Sequence, residues 1–133
     1  MPEKPPRFFS HASNRPVLAY LTDKSAHSDV AAALAGAVKQ LGDVQLFCPD
    51  WQQYRFVAAS TRELIFGFAL EMNLVAFRLD GRLKDRALAS GGVSLPECGD
   101  AWVAFTLFRS DWPRVDVEFW ALKAYVNART LAL

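Results

Sequence analysis

From Tyr54 to Leu79 apolar side chains recur at every second residue, the repeat that sets one face of a β-strand against a core. Tyr54, Phe56 and Ala58 alternate with Arg55, Val57 and Ala59; Leu64, Phe66, Phe68 and Leu70 share one face; Val75, Phe77 and Leu79 share another. The polar breaks between them, Ser60–Glu63 and Glu71–Asn73, are short, so three antiparallel neighbours are predicted. A further run, Ala101–Phe108, sets Val103, Phe105 and Leu107 opposite Trp102, Ala104 and Thr106.

Toward both ends the repeat lengthens to three or four. Val30, Leu34, Ala37, Val38 and Leu41 make one helical stripe within Ser25–Leu41, with Ser25 or Ser28 as cap and Gly42 as stop. Val115, Phe119, Leu122 and Val126 make another, widened by Trp112, Trp120 and Tyr125 and entered through Asp111 and Pro113, and a short helix follows Asp80 and ends at Gly91-Gly92. The apolar runs Val17–Leu21 and Val44–Cys48 flank the first helix and read as parallel strands joined by a crossover. Pro2, Pro5, Pro6 and Pro16 make residues 1–16 an extended arm, which Phe8 and Phe9 anchor to the body or to a second copy. The expectation is one α+β domain over residues 17–130 in the order β-α-β-β-β-β-α-β-α. Its sheet is mostly antiparallel and is packed by the first and last helices.

Charge and composition then remove whole classes of function. Fifteen basic against 14 acidic residues leave a net charge of +1, no pull toward nucleic acid or anionic lipid. The first residues are charged and proline-rich where a secretory leader is apolar, and no run approaches the roughly 18 apolar residues of a membrane span. A cytoplasmic location without a nucleic-acid or membrane partner is expected. Cys48 and Cys98 lack a C-x-x-C spacing, and His11 and His27 form no ligand pair, so no metal and no cofactor are expected. The cysteines read as two free thiols; a Cys48–Cys98 disulfide is the other arrangement the sequence allows.

The segments Arg62-Glu63-Leu64, Phe77-Arg78-Leu79, Arg86–Gly92, Trp102–Phe105, and Trp120 with Ala124-Tyr125 resemble a group of small bacterial luciferase-like domains of unestablished role. They are more distantly similar to the N-terminal domain of TfoX and to YjbR proteins. The resemblance spans roughly residues 54–129 and implies a compact α+β fold without implying a reaction. That group tends to carry His-x-His after its Glu-Leu; here the place holds Phe66-Gly67-Phe68, so histidine chemistry of that kind has no counterpart.

Chemistry-bearing residues gather after the first two apolar runs. Parallel strands would open both loops on one edge, beside the free N–H groups of the first helix. Lys24, Ser25, Ser28, Asp50 and Trp51 are then candidates for holding a small anionic ligand. Cys48 as thiolate, His27 as its base and Asp23 or Asp50 orienting the imidazole are the catalytic candidates. The plainer reading makes the serines caps, His27 a solvated first-turn residue and Cys48 core filler. Arg78 interrupts an apolar strand, to pair with a carboxylate or to line a ligand pocket. Aromatic residues make up 13% of the chain, and Trp51 and Trp112 fall in connections while Trp102 and Trp120 fall in predicted elements, a distribution that suits a self-association surface. The functional expectation is a non-catalytic, homodimeric binding or interaction module. The alternative is a small-molecule binding protein or enzyme with its site at residues 23–28 and 48–51.

Overall fold

The alternation in the middle of the chain does build a sheet. The computed structural model describes residues 12–50, 55–108 and 115–131. In chain order the elements are α1 (Arg15–Leu21), α2 (Ser28–Val38), β1 (Gln45–Phe47), β2 (Val57–Thr61), β3 (Leu64–Leu70), β4 (Leu74–Arg78), α3 (Arg82–Ala89), β5 (Val93–Ser94), β6 (Trp102–Thr106) and α4 (Val117–Leu131). The six strands lie in the order β1-β2-β3-β4-β6-β5, and every neighbouring pair is antiparallel. This is a single α+β domain packed by the predicted first and last helices, α2 and α4.

Both faces of the sheet are covered. One core joins α2 and α4 to Val57, Ala59, Leu64, Phe66, Val75, Phe77, Val103 and Phe105. On the other face, Val17 and Leu21 of α1 pack with Phe47, Phe56, Ala58, Ile65, Phe68, Leu70 and Trp102. With two cores to fill, β2 and β3 are buried at every residue, and polarity no longer reports which way a side chain points.

A β-bulge settles that direction. The register runs Ala59↔Gly67 and then Ser60↔Ile65, so Phe66 is the extra residue on β3. Leu64 and Phe66 therefore enter the α2/α4 core while Phe68 and Leu70 enter the α1 core, and the single shared face expected for these four residues is wrong. Gly67 makes the irregularity possible. A β-carbon there would lie 2.9 Å from Cδ1 of Phe77, whose ring occupies the space.

The first element differs in kind from the expected strand. Residues 17–21 form α1, with Pro16 in its first turn and Val17 and Leu21 buried at i and i+4. A five-residue apolar run fits a buried strand and one side of a short helix equally well, and here the second sheet face needed a cover. The parallel crossover goes with it, since β1 pairs antiparallel with β2. Residues 1–11 of the expected arm lie outside the described residues, and Arg15 and Pro16 belong to α1. Just before it, buried Asn14 donates from Nδ2 to the Glu63 carbonyl (2.9 Å) and accepts from the Ile65 N–H (3.0 Å). Those two bonds clamp a β2–β3 turn in which Arg62 and Glu63 both hold left-handed φ (48° and 67°), unfavourable for such residues.

α4 is rotated relative to the expected stripe. Trp120, Ala121, Ala124 and Ala128 face the sheet, and Leu122 and Val126 are 45% and 53% exposed. The three alanines bring the helix backbone close to the strands, and Trp120 stacks on Phe105 at 5.4 Å.

Two glycine substitutions separate these constraints in urea unfolding. Gly67→Ala is expected to cost about 1–3 kcal/mol by overpacking against Phe77. Gly36→Ala, in α2 with open space around it, is expected to be neutral or to stabilise by up to about 1 kcal/mol.

Candidate functional site

The loop between α1 and α2 is stitched into one end of the sheet. The C-terminus of α1 is closed by Thr22, whose hydroxyl donates to the Leu18 carbonyl (2.7 Å). Lys24 Nζ donates to the Tyr20 carbonyl (2.7 Å) and sits 4.0 Å from the centre of the Tyr20 ring. A cation at the negative end of a helix is electrostatically at home, so Lys24 completes α1. Asp23 is exposed, with left-handed φ (58°), and turns the chain. Ser25 then bridges to Arg55, Ala26 bridges to Glu71, and the His27 N–H donates to the Glu71 carbonyl (2.7 Å).

His27 is the N-cap of α2. Its Nδ1 accepts from the Asp29 N–H (3.1 Å), which satisfies one of the free donors of the first turn. That bond puts the ring proton on Nε2, so the 3.6 Å approach of the Asp29 carboxylate to Nδ1 is no ion pair in the neutral ring. Ser25, Ala26, His27 and Ser28 face Glu71 and Met72 across a groove of about 460 Å³. Met72 is exposed, and so is Phe108, brought to the same end by the Leu107 N–H donating to the Asn73 carbonyl (2.7 Å). Glu71 and Asp29 set two carboxylates around the helix start, which opposes the anion expected there and suits a neutral or cationic group.

The second expected loop does meet the first, through the backbone of Arg55. Its N–H donates to the Asp50 carbonyl (3.4 Å), its residue bridges Ser25, and its carbonyl accepts from the Cys48 thiol (Sγ···O 3.4 Å). Cys48, 1% exposed, lies in the α2/α4 core with its thiol turned to that carbonyl, whereas the His27 imidazole lines the groove with Glu71. The contacts of these two side chains are those of core filler and helix cap. Asp50 is half-buried, and Trp51 lies outside the described residues, as does Trp112. Arg78 is half-buried on the α1 face of β4, opposite Trp102.

A titratable group beside this loop was not legible in the sequence. Tyr20 and Cys98 share the α1 core. Burial first, and then the Glu97 carboxylate, push the Cys98 thiol up to about 12 against a weaker opposing pull from Lys24. Burial, then Cys98, Glu71 and Glu97, raise the Tyr20 hydroxyl in the same direction. Only the helical form of 17–21 places Tyr20 here, and a strand reading hides it. Cys98 and Cys48 are both free and buried in cores on opposite faces of the sheet, which leaves no path for a disulfide between them.

Among the described residues no three His, Cys, Asp or Glu side chains cluster as metal ligands, and no helix is long and apolar enough to cross a membrane. No protein-family model matches the chain, and no curated protein or solved structure matches it either.

Three measurements check this site. At pH 8 neither thiol is expected to react with an aromatic disulfide reagent in the folded protein, and two are expected to react after denaturation. Cys98 and Tyr20 keep their protons longer folded than unfolded, so their contribution to stability is full below the ordinary thiol value of 9.0. It is lost as pH rises toward about 12, and Cys98→Ala should flatten that alkaline loss. Separately, His27→Ala is expected to cost about 1 kcal/mol, and His27→Asn to recover most of it, in thermal or urea unfolding.

Proposed function

We propose that this chain is a cytoplasmic, non-catalytic interaction module that acts as a homodimer, two copies meeting through the outer face of α4. One observation carries the reading. Leu122 and Val126, one turn apart on a single face of α4, are 45% and 53% exposed, with Phe119 half-buried against the α2/α4 core at the edge of that face. The spacing is that of a buried stripe, yet Trp120 and three alanines take the intramolecular core and leave Leu122 and Val126 outside.

A second copy suits the face better than an unrelated partner because its ends carry opposite charge. Asp116 and Glu118 lie at the start of α4, and Lys123 and Arg129 lie farther along, Arg129 also pairing with Asp43 of its own chain (3.4 Å). Packing α4 antiparallel on its twin about a two-fold axis sets the acidic first turn of each copy against the basic last turn of the other. Arg86 and Lys123, 5.6 and 5.5 Å from the Phe119 ring, form a polar rim at one edge. The buried state of Cys48 and the capping role of His27 support a binding role over catalysis, and two free buried thiols suit a reducing compartment.

Size-exclusion chromatography with light scattering tests the proposal. The expected species is about twice the 14.8 kDa of one chain, and Leu122→Lys or Val126→Glu is expected to return it to one chain with an unchanged circular-dichroism spectrum. A wild-type mass of 14.8 kDa at micromolar concentration would reject it.

A further inference from the structure

We infer that Arg78 and Trp102 form a site for a small organic carboxylate on the α1 face of the sheet. The two residues are Cα partners on neighbouring antiparallel strands, β4 and β6. Strand alternation puts both side chains on the face opposite Phe77 and Val103, with β-carbons about 4.5–5.5 Å apart. Trp102 is 1% exposed, and its indole is held by stacking on Phe68 with ring centroids 5.2 Å apart.

Both residues present a buried N–H with no acceptor. Nε of Arg78 and Nε1 of Trp102 are shielded from solvent and have no hydrogen-bond partner among the described residues. The nearby carboxylates do not answer them. Asp80 accepts from Asn127 Nδ2 of α4 (3.1 Å), and Glu97 and Asp100 are exposed, with neither in an ion pair to Arg78. Leaving two donors unmatched is costly, and a half-buried guanidinium without a counter-charge costs more than an apolar side chain of similar volume. Val75, Ala76, Phe77 and Leu79 around it show that an apolar residue suits this strand. An arginine retained there is accounted for when its partner comes from outside.

The donor geometry selects the ligand class. Two unmatched N–H donors on one sheet face, one of them charged, call for an anionic acceptor, and a carboxylate offers one oxygen to each. Trp102 belongs to the same apolar core as Phe68, Leu95, Cys98 and Ala104, which favours a carboxylate carrying a short hydrocarbon body over a wholly polar one. The site lies on the sheet face opposite α4 and does not depend on how copies associate.

The full chain titrated with acetate, butyrate and succinate at constant ionic strength, read by tryptophan fluorescence and thermal midpoint, tests the assignment. Saturable binding by at least one carboxylate is expected, weakened about tenfold or more by Arg78→Gln and severalfold by Trp102→Phe, which keeps the stacked ring. Arg78→Met, folded by its circular dichroism, is expected to abolish binding while raising the midpoint of the unliganded protein. No saturable response to any of the three, an equal response in Arg78→Gln, or tighter binding of inorganic phosphate than of every carboxylate would overturn the proposal.

Discussion

The Phe77 ring lying over Gly67 is the contact on which the rest of the structure turns. It lies beside the register shift of the β2–β3 pair, the extra residue at Phe66, and that shift decides which aromatic side chains enter which core. On one side of the bulge Phe66 goes to α2 and α4; on the other Phe68 goes to α1, where it stacks on Trp102 and lies 6.1 Å from Tyr20. Had β3 alternated without interruption, Phe68 and Leu70 would have stayed on the α2/α4 face. The α1 core would then have lost the Phe68 ring that stacks on Trp102. A local backbone defect thus sets the partition of hydrophobic volume between two layers, because close-packed cores have no slack to absorb a misplaced phenyl.

The two layers are built by different means. The α2/α4 side uses small helical residues, Ala121, Ala124 and Ala128, so that two helices lie close to the strands, with Trp120 filling the remaining space against Phe105. The α1 side uses a short helix and large strand residues. It is tied down by polar contacts at its two ends: Asn14 to the Arg62–Glu63 turn, and the 24–27 loop to Arg55, Phe56 and Glu71. Side chains that hold a structure together in this way are poor places for mobile chemistry, since they already have structural partners. The residues first singled out for function, His27, Lys24 and Cys48, are of this kind.

The candidate site was legible in one respect and hidden in another. The expectation that residues 23–28 and 48–51 share one edge rested on parallel neighbouring strands, which the described residues do not form; Ser25 and the 48–50 segment nonetheless both contact the Arg55 backbone. The reason is different from the one expected. The loop docks on the end of the antiparallel β2–β3 pair, so its carbonyls and N–H groups complete a sheet edge and do not open toward a ligand. Glu71 and Met72 entered the groove from a hairpin that nothing in the sequence linked to residue 27. The orphan donors of Arg78 and Trp102 are another pairing of this type. The sequence flags Arg78 as a charge within an apolar strand, but only the β4–β6 register brings the indole beside it.

By itself the sequence determined the elements whose periodicity was long and one-sided: the antiparallel strands of the middle, the helical stripe of α2, and the heptad-like stripe of α4. It also limited electrostatics to a near-neutral chain, and it set the polar breaks that make the hairpins. These are local properties, written within a few residues of one another. Tertiary structure alone decided the helical state of 17–21, the switch of face at Phe66, and which side of α4 meets the sheet. Each is a choice between two arrangements of nearly equal local energy, and the choice falls to whichever fills both layers. Five apolar residues satisfy a strand or a helix, and Gly67 allows a bulge but does not demand one. Alanines and leucines on α4 are both apolar, but only the alanines fit in the narrow space beneath the helix.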